Sequence, residues 1–141
     1  MSSVVLVTGG SRGIGAATAV LAAHRGHDVA ISFRERRDEA EGVLAACRAA
    51  GRRAIAVQAD VSDEGAVVAL FQAVDRELGG LGGLVANAGI VAPAARVDEF
   101  DGDRIRRLLD VNVVGLLLCA REAVRRLSTR HGGRGGSIVL V

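Results

Sequence analysis

Thr8-Gly9-Gly10-Ser11-Arg12-Gly13-Ile14-Gly15 stands between the apolar run Val4 to Val7 and a long alanine-rich stretch. Glycines where a strand hands over to a helix let the backbone turn tightly, admit an anionic group with no Cβ in its way, and bring the helix close to the sheet. The helix N-terminus adds unpaired N–H groups and partial positive charge, which together suit a phosphate. A plain strand-to-helix connector would carry glycines too, so the residues further along must decide.

In dinucleotide folds an acidic residue about twenty positions after the glycine turn accepts the adenosine ribose hydroxyls of NAD. Here Phe33 holds that slot and Arg34 follows it. With Arg12 inside the glycine turn, two guanidiniums can converge on a 2′-phosphate through charge-assisted, fork-shaped hydrogen bonds, which points to NADP(H) ahead of NAD(H). Ser11 adds a hydroxyl donor for the same phosphate or for the pyrophosphate. Two other readings stay open: Arg34, Arg36 and Arg37 as an exposed basic turn, and Glu35 as a displaced ribose acceptor.

These residues need a frame, and the chain alternates strand-like and helix-like patterns from end to end, the signature of βαβ units and a parallel sheet. Strands are expected at Val4 to Val7, Val29 to Phe33, Ala54 to Ala59, Leu84 to Asn87 and Ser137 to Val141. Helices are expected at Ile14 to Arg25, Asp38 to Ala50, from near Ser62 along the stripe Val67, Leu70, Phe71, Val74, Leu78, and as one long helix from Asp103 to Arg130. The fold class is α/β, a doubly wound parallel sheet of the Rossmann type, with residues 1–141 forming one nucleotide-binding domain. A fifth strand in such a sheet is normally covered on both faces. We therefore expect this chain to be the first part of a larger domain.

The glycine segment reads T-G-x-x-x-G-x-G, and in that spacing it resembles the short-chain dehydrogenase/reductase family. Three later segments resemble the same family in the same order: Asp60-Val61, Ala86-Asn87-Ala88-Gly89 with Ala in place of a first Asn, and Asp110-Val111-Asn112-Val113-Val114-Gly115. The resemblance covers the whole chain. It implies that Gly9, Ser11, Arg12, Gly13, Ile14 and Gly15 cradle the cofactor phosphates, and that Asp60 and Val61 hold the adenine. Asn87, Ala88 and Gly89 would line the ribose, and Asn112 would support a water-linked proton relay at the catalytic site. Standing alone, Asp60 is equally a helix-entry residue, Asn87 an ordinary turn residue, and Asn112 a satisfied core amide that bends a helix.

The implied activity is that of an NADP(H)-dependent oxidoreductase acting on a carbonyl or alcohol, similar to 3-oxoacyl-carrier-protein reductases. Family catalysis uses a Tyr-x-x-x-Lys pair, yet this chain contains no tyrosine and all eighteen of its basic residues are arginine. Residues 1–141 alone are therefore expected to bind without turning over. A non-catalytic NADP-binding module or degenerate subunit would look the same in these residues. A methyltransferase also uses a glycine turn after strand one, but wants an acid where Phe33 stands.

Composition narrows the partners. Net charge is +2, arginines are interleaved with acids, and aromatic residues make up 2% of the chain, so base stacking on nucleic acid is not expected. Arg121, Arg125, Arg126 and Arg130, and likewise Arg104, Arg106 and Arg107, read as solvated helix faces. Cys47 and Cys119 read as buried small hydrophobes, His24, His27 and His131 share no ligand spacing, and no metal site is expected. No signal or membrane segment is apparent, and a cytoplasmic location is expected. The long helix resembles the family's main dimerisation helix, so the complete protein is expected to be a homo-oligomer, a tetramer.

Overall fold

The computed structural model describes residues 2–141. Five parallel strands form one sheet: β1 (Val4–Val7), β2 (Asp28–Phe33), β3 (Ala54–Gln58), β4 (Leu81–Ala86) and β5 (Ser137–Leu140), in the order β3-β2-β1-β4-β5. The chain winds outward from β1 through β2 to β3, then crosses back to place β4 on the other side of β1. That reversal leaves a crevice between the carboxyl ends of β1 and β4, where open α/β sheets bind ligands.

Successive side chains of a strand point to opposite faces, and β1 obeys this residue by residue. Val4 and Leu6 join a core with Leu70, Phe71 and Val74, whereas Val5 and Val7 join a second core with Ala19, Val43 and Leu44. Helices α1 (Gly13–His24) and α2 (Arg37–Ala49) cover that second face, and α3 (Glu64–Glu77) packs on the first. Every residue of β2 is buried, as a strand covered on both faces requires.

The α/β class and all five strands agree with the sequence expectation, while the boundaries move for local reasons. Helix α3 starts later than Ser62 because Asp63 caps it, its side chain accepting a hydrogen bond from Ala66 N at 3.0 Å. Strand β4 begins at Leu81, ahead of Leu84. Its Gly82 lies where a Cβ would stand 2.6 Å from Ser3 Cβ, so the glycines serve close strand approach as well as turning the chain. The long helix is interrupted: α4 (Gly102–Leu109) and α5 (Leu116–Leu127) are joined by a π-helical segment, Asp110–Gly115. Strand β5 lies at the sheet edge, with Val139 and Leu140 more than half exposed.

Two buried carboxylates organise arginines that periodicity alone left on the surface. Glu122 on α5 is buried and accepts from Arg121, Arg125 and Arg126, and Arg126 also pairs with Asp75 and lies over the Phe71 ring. The expectation of a solvated face is thus corrected at Arg121 and Arg126, which are partly buried, whereas Arg125 stays exposed while pairing with Glu122. Asp28, at the amino end of β2, accepts from Ser2 Oγ, Arg52 Nη2, Arg53 N and the Arg53 guanidinium at 2.7 to 3.1 Å. Arg53 also donates to the Leu78 carbonyl at the end of α3, so one carboxylate ties β2 to the entry of β3 and to α3.

Burial alone would raise the Asp28 pKa, but the Arg53 and Ser2 donors and the arginine charge outweigh it and lower it to about 2. The fold therefore favours the ionised form. This contribution is complete above the ordinary carboxylate pKa of 3.8 and is lost as pH falls through about 2. Asp28→Asn is predicted to destabilise the chain by about 3 kcal/mol at pH 7. In urea titrations the parent should lose part of that advantage between pH 4 and pH 2, and the variant should not.

Candidate functional site

Thr8, the residue after β1, is buried, and its hydroxyl oxygen accepts hydrogen bonds from the backbone N–H groups of Asn87 and Ala88, each at 3.0 Å. Asn87, the residue after β4, answers with its carboxamide, donating from Nδ2 to the carbonyls of Thr8 and Gly9, each at 3.1 Å. The glycine turn and the end of β4 are thereby stitched together across the crevice. Ser32 fixes the other flank: Gly9 N donates to its hydroxyl at 3.1 Å and Gly10 N to its carbonyl at 2.9 Å.

Gly9 has φ +62°, and a Cβ there would lie 2.9 Å from Ala88 Cα, so both conformation and space demand glycine. At Gly15 a Cβ would collide with the Gly9 carbonyl and with Asn87 Nδ2. That glycine allows the first turn of α1 to close onto the loop. Gly13, by contrast, faces open space. The loop is thus packed tightly behind and open in front, as a cradle for phosphate must be.

In front lies a cleft of about 550 Å³. Its walls include every nucleotide-site residue expected from the sequence except Gly15: Gly9, Ser11, Arg12, Gly13 and Ile14 from the turn, Arg34 from the end of β2, Asp60 and Val61 from the end of β3, and Asn87, Ala88 and Gly89 from the end of β4. Gly15 sits behind the turn. A second cavity of about 520 Å³ adjoins it, sharing Arg12, Ala88, Gly89 and Ile90 and reaching Asn112.

Asn112 lies in the π-helical segment, a local widening often found at functional sites. Its Oδ1 accepts from Ile90 N and its Nδ2 donates to Ile90 O, both at 2.8 Å. This two-point clamp fixes the loop after β4 and holds the floor of the second cavity against the first.

Phe33 is buried at the end of β2, with the Arg37 guanidinium 5.0 Å from its ring centroid. Arg34 projects into the cleft about half exposed, near Glu35 at 3.7 Å and Asp60 at 3.9 Å. Asp60 Oδ1 accepts from Ser62 N and Ser62 Oγ, while Oδ2 accepts from Arg107 Nη2 at 3.3 Å. Burial would raise the Asp60 pKa, but the Ser62 hydrogen bonds and the Arg107 charge bring it below the usual carboxylate range. Asp60 is therefore an anion at neutral pH.

Arg107 is the site residue that sequence reasoning missed. Its spacing with Arg104 and Arg106 suggested solvent, yet it lines the cleft and bonds both Asp60 and Ser62. Ser32 was missed as well, and only its place after an apolar run and before Phe33 marked it. Both cysteines are free and buried, and burial together with the Glu122 charge pushes the Cys119 thiol up to about 12. Burial thus disfavours its thiolate at neutral pH. Among the described residues no group of three or more His, Cys, Asp or Glu is placed to hold a metal ion, and no helix is long and apolar enough to cross a membrane.

Comparison with known proteins agrees with this geometry. The family model described as short chain dehydrogenase matches residues 3–141. An uncharacterised oxidoreductase of Escherichia coli K12, YgfF, is 46% identical over 139 residues, covering 99% of this chain and 56% of that protein. A short chain dehydrogenase of Burkholderia cenocepacia solved in complex with NADP is 45% identical, with a TM-score of 0.85 over 89% of this chain and 51% of that one. An NAD+-bound xylitol dehydrogenase superposes with a TM-score of 0.88 at 32% identity, over 96% of this chain and 51% of that one. The chain spans about half the length of the curated relatives it matches.

The Thr8 hydroxyl accepts two backbone donors that have no other partner of comparable geometry. Thr8→Val keeps the shape and removes the acceptor, and is predicted to destabilise the fold by about 2 to 3 kcal/mol, with a larger loss of order at Asn87 and Ala88 than elsewhere. Denaturant unfolding and amide exchange at those two positions check both parts.

Proposed function

This chain belongs to the short chain dehydrogenase family, and we propose that the protein carrying it is an NADP(H)-dependent oxidoreductase moving hydride to or from the carbon of a carbonyl or alcohol. The observation that carries the cofactor assignment is the end of β2, where buried Phe33 replaces the ribose-binding acid and Arg34 enters the same cleft as Arg12. Neighbouring structures hold either NADP or NAD+, so the fold alone does not choose and this chain's own residues must. Glu35 is the competing ribose acceptor: it lines the same cleft, exposed, with its carboxylate 3.7 Å from the Arg34 guanidinium.

In this reading the N–H groups of Ser11, Arg12, Gly13 and Ile14 receive the pyrophosphate, with Gly9 and Gly15 giving the loop its shape. Arg12 and Arg34 bind the 2′-phosphate as guanidinium forks. Asp60 and Val61 hold the adenine edge, and Asn87, Ala88 and Gly89 line the ribose. When bound, the nicotinamide supplies or accepts the hydride. Asn112 keeps the loop at Ile90 fixed beside the reaction cavity and supports a water-linked proton path.

Neither tyrosine nor lysine occurs among the 141 residues, so these residues offer no proton donor of the family's type. Alone they bind cofactor and do not turn over. A non-catalytic NADP-binding module is the second reading, and a Tyr-x-x-x-Lys pair in the protein's remaining sequence, where there is any, separates the two. Free, buried thiols suit a reducing cytoplasm, where we place the protein.

Ile105, Leu109, Val113 and Leu117 follow one another at four-residue spacing along α4, the π segment and α5, and each is more than two fifths exposed. This apolar stripe is where we place contact between subunits, giving a dimer of dimers in the complete protein. Sedimentation at micromolar concentration should show the tetramer, and a monomer would contradict it.

The parent is predicted to bind NADPH more tightly than NADH. Arg34→Asp removes a charge-assisted contact and places a like charge near the phosphate, costing about 1.5 to 3 kcal/mol for NADPH and narrowing or reversing the preference. Titration of cofactor fluorescence measures both affinities, and equal binding of the two by the parent would defeat the assignment.

A further inference from the structure

Asp60 stands between two guanidiniums from different elements. Arg107 reaches it from the last turn of α4, donating to Oδ2 at 3.3 Å and bracing itself on Ser62 Oγ at 3.1 Å. Arg34 approaches the same oxygen from the end of β2, its Nε at 3.9 Å, an ion-pair distance and not a hydrogen bond. Its other acidic neighbour, Glu35, lies at 3.7 Å. The backbone of Arg34 is held by Gln58, whose Nε2 donates to the Arg34 carbonyl at 2.9 Å, so only the side chain is free to choose a partner.

We propose that Arg107 is a positioning residue for cofactor discrimination: by taking the outer oxygen of Asp60, it keeps Arg34 available for the 2′-phosphate of an adenine dinucleotide. This inference rests on the NADP(H) reading above. An anionic Asp60 with no partner at Oδ2 would attract the nearest cation, and Arg34 needs to move by only about 1 Å to form a hydrogen bond there. The guanidinium would then be turned toward the floor of the adenine pocket and away from a phosphate at its mouth. Arg107 prevents the collapse without touching the phosphate itself.

The consequence is selective. A cofactor lacking the 2′-phosphate makes no use of Arg34, so its affinity should follow only the small disturbance of Asp60. Arg107→Gln should therefore reduce the ratio of NADPH to NADH affinity by about tenfold, the scale of one lost charge-assisted contact. Arg107→Lys keeps a cation beside Asp60 and should hold the ratio near that of the parent. Neutralising the competitor should also restore it: in Asp60→Asn/Arg107→Gln both cofactors weaken together, because the adenine is common to them, while the ratio returns toward the parent's.

The test is fluorescence titration of the parent and these three variants with NADPH and with NADH, each variant checked by circular dichroism for an unchanged fold. A ratio lowered in Arg107→Gln, kept in Arg107→Lys and recovered in the double variant supports the proposal. An unchanged ratio in Arg107→Gln overturns it, whether both affinities fall together or neither does. A lowered ratio that Asp60→Asn fails to recover also overturns it, since Arg107 would then be meeting the phosphate directly. If the parent itself shows no preference for NADPH, the NADP(H) reading fails first and this inference falls with it.

Discussion

The reciprocal contact between Thr8 and Asn87 is the constraint on which the site depends. Each residue follows a strand of the same parallel sheet, and the four hydrogen bonds that Thr8 and Asn87 make with each other and with Gly9 and Ala88 join segments nearly eighty positions apart in the chain. Backbone groups at the end of a buried strand need partners that the ladder no longer provides. Thr8 and Asn87 supply those partners, and the glycine turn is held to the end of β4. Ser32 completes the arrangement from β2, and the open front of the loop remains for an anion.

A second theme is how this chain handles buried carboxylates. All its basic residues are arginine, and the planar fork lets several of them share one acid with distinct donors. Glu122 gathers three arginines on α5, Asp28 gathers two at the amino ends of the strands, and Asp60 faces two at the carboxyl ends. The first two clusters bind helices to the sheet and to one another. The third is partly exposed, and there we propose that the division of one carboxylate between two arginines bears on ligand choice. The same chemistry serves structure at one end of the sheet and, in the proposed reading, recognition at the other.

The sheet was legible in the sequence because short apolar runs alternating with helical stripes leave little freedom in an α/β fold. That the candidate site residues share one cleft was legible for a related reason: they sit at strand ends, and the topology collects strand ends at one edge. What escaped was long-range polar pairing. Arg107 and Arg126 lie on helices with ordinary surface periodicity, and nothing local shows that Asp60 or Asp75 waits opposite them. The break in the long helix was half legible: reading Asn112 as an amide that bends a helix located it, but nothing local showed the clamp on Ile90 that accompanies the widened turn. Asp28 gave no signal beyond an acid at a strand's beginning, a place where exposed acids are common.

The crevice between the glycine turn and the ends of β2, β3 and β4 is where we place an NADP cofactor. Hydrogen–deuterium exchange with and without NADP+ tests it without requiring turnover. Slower exchange on binding is expected at Gly9 to Gly15, Arg34, Asp60, Val61 and Asn87 to Gly89, with little change at Asp28 or along the exposed stripe of α4 and α5. Protection confined to other segments, or absent at saturating NADP+, would contradict it.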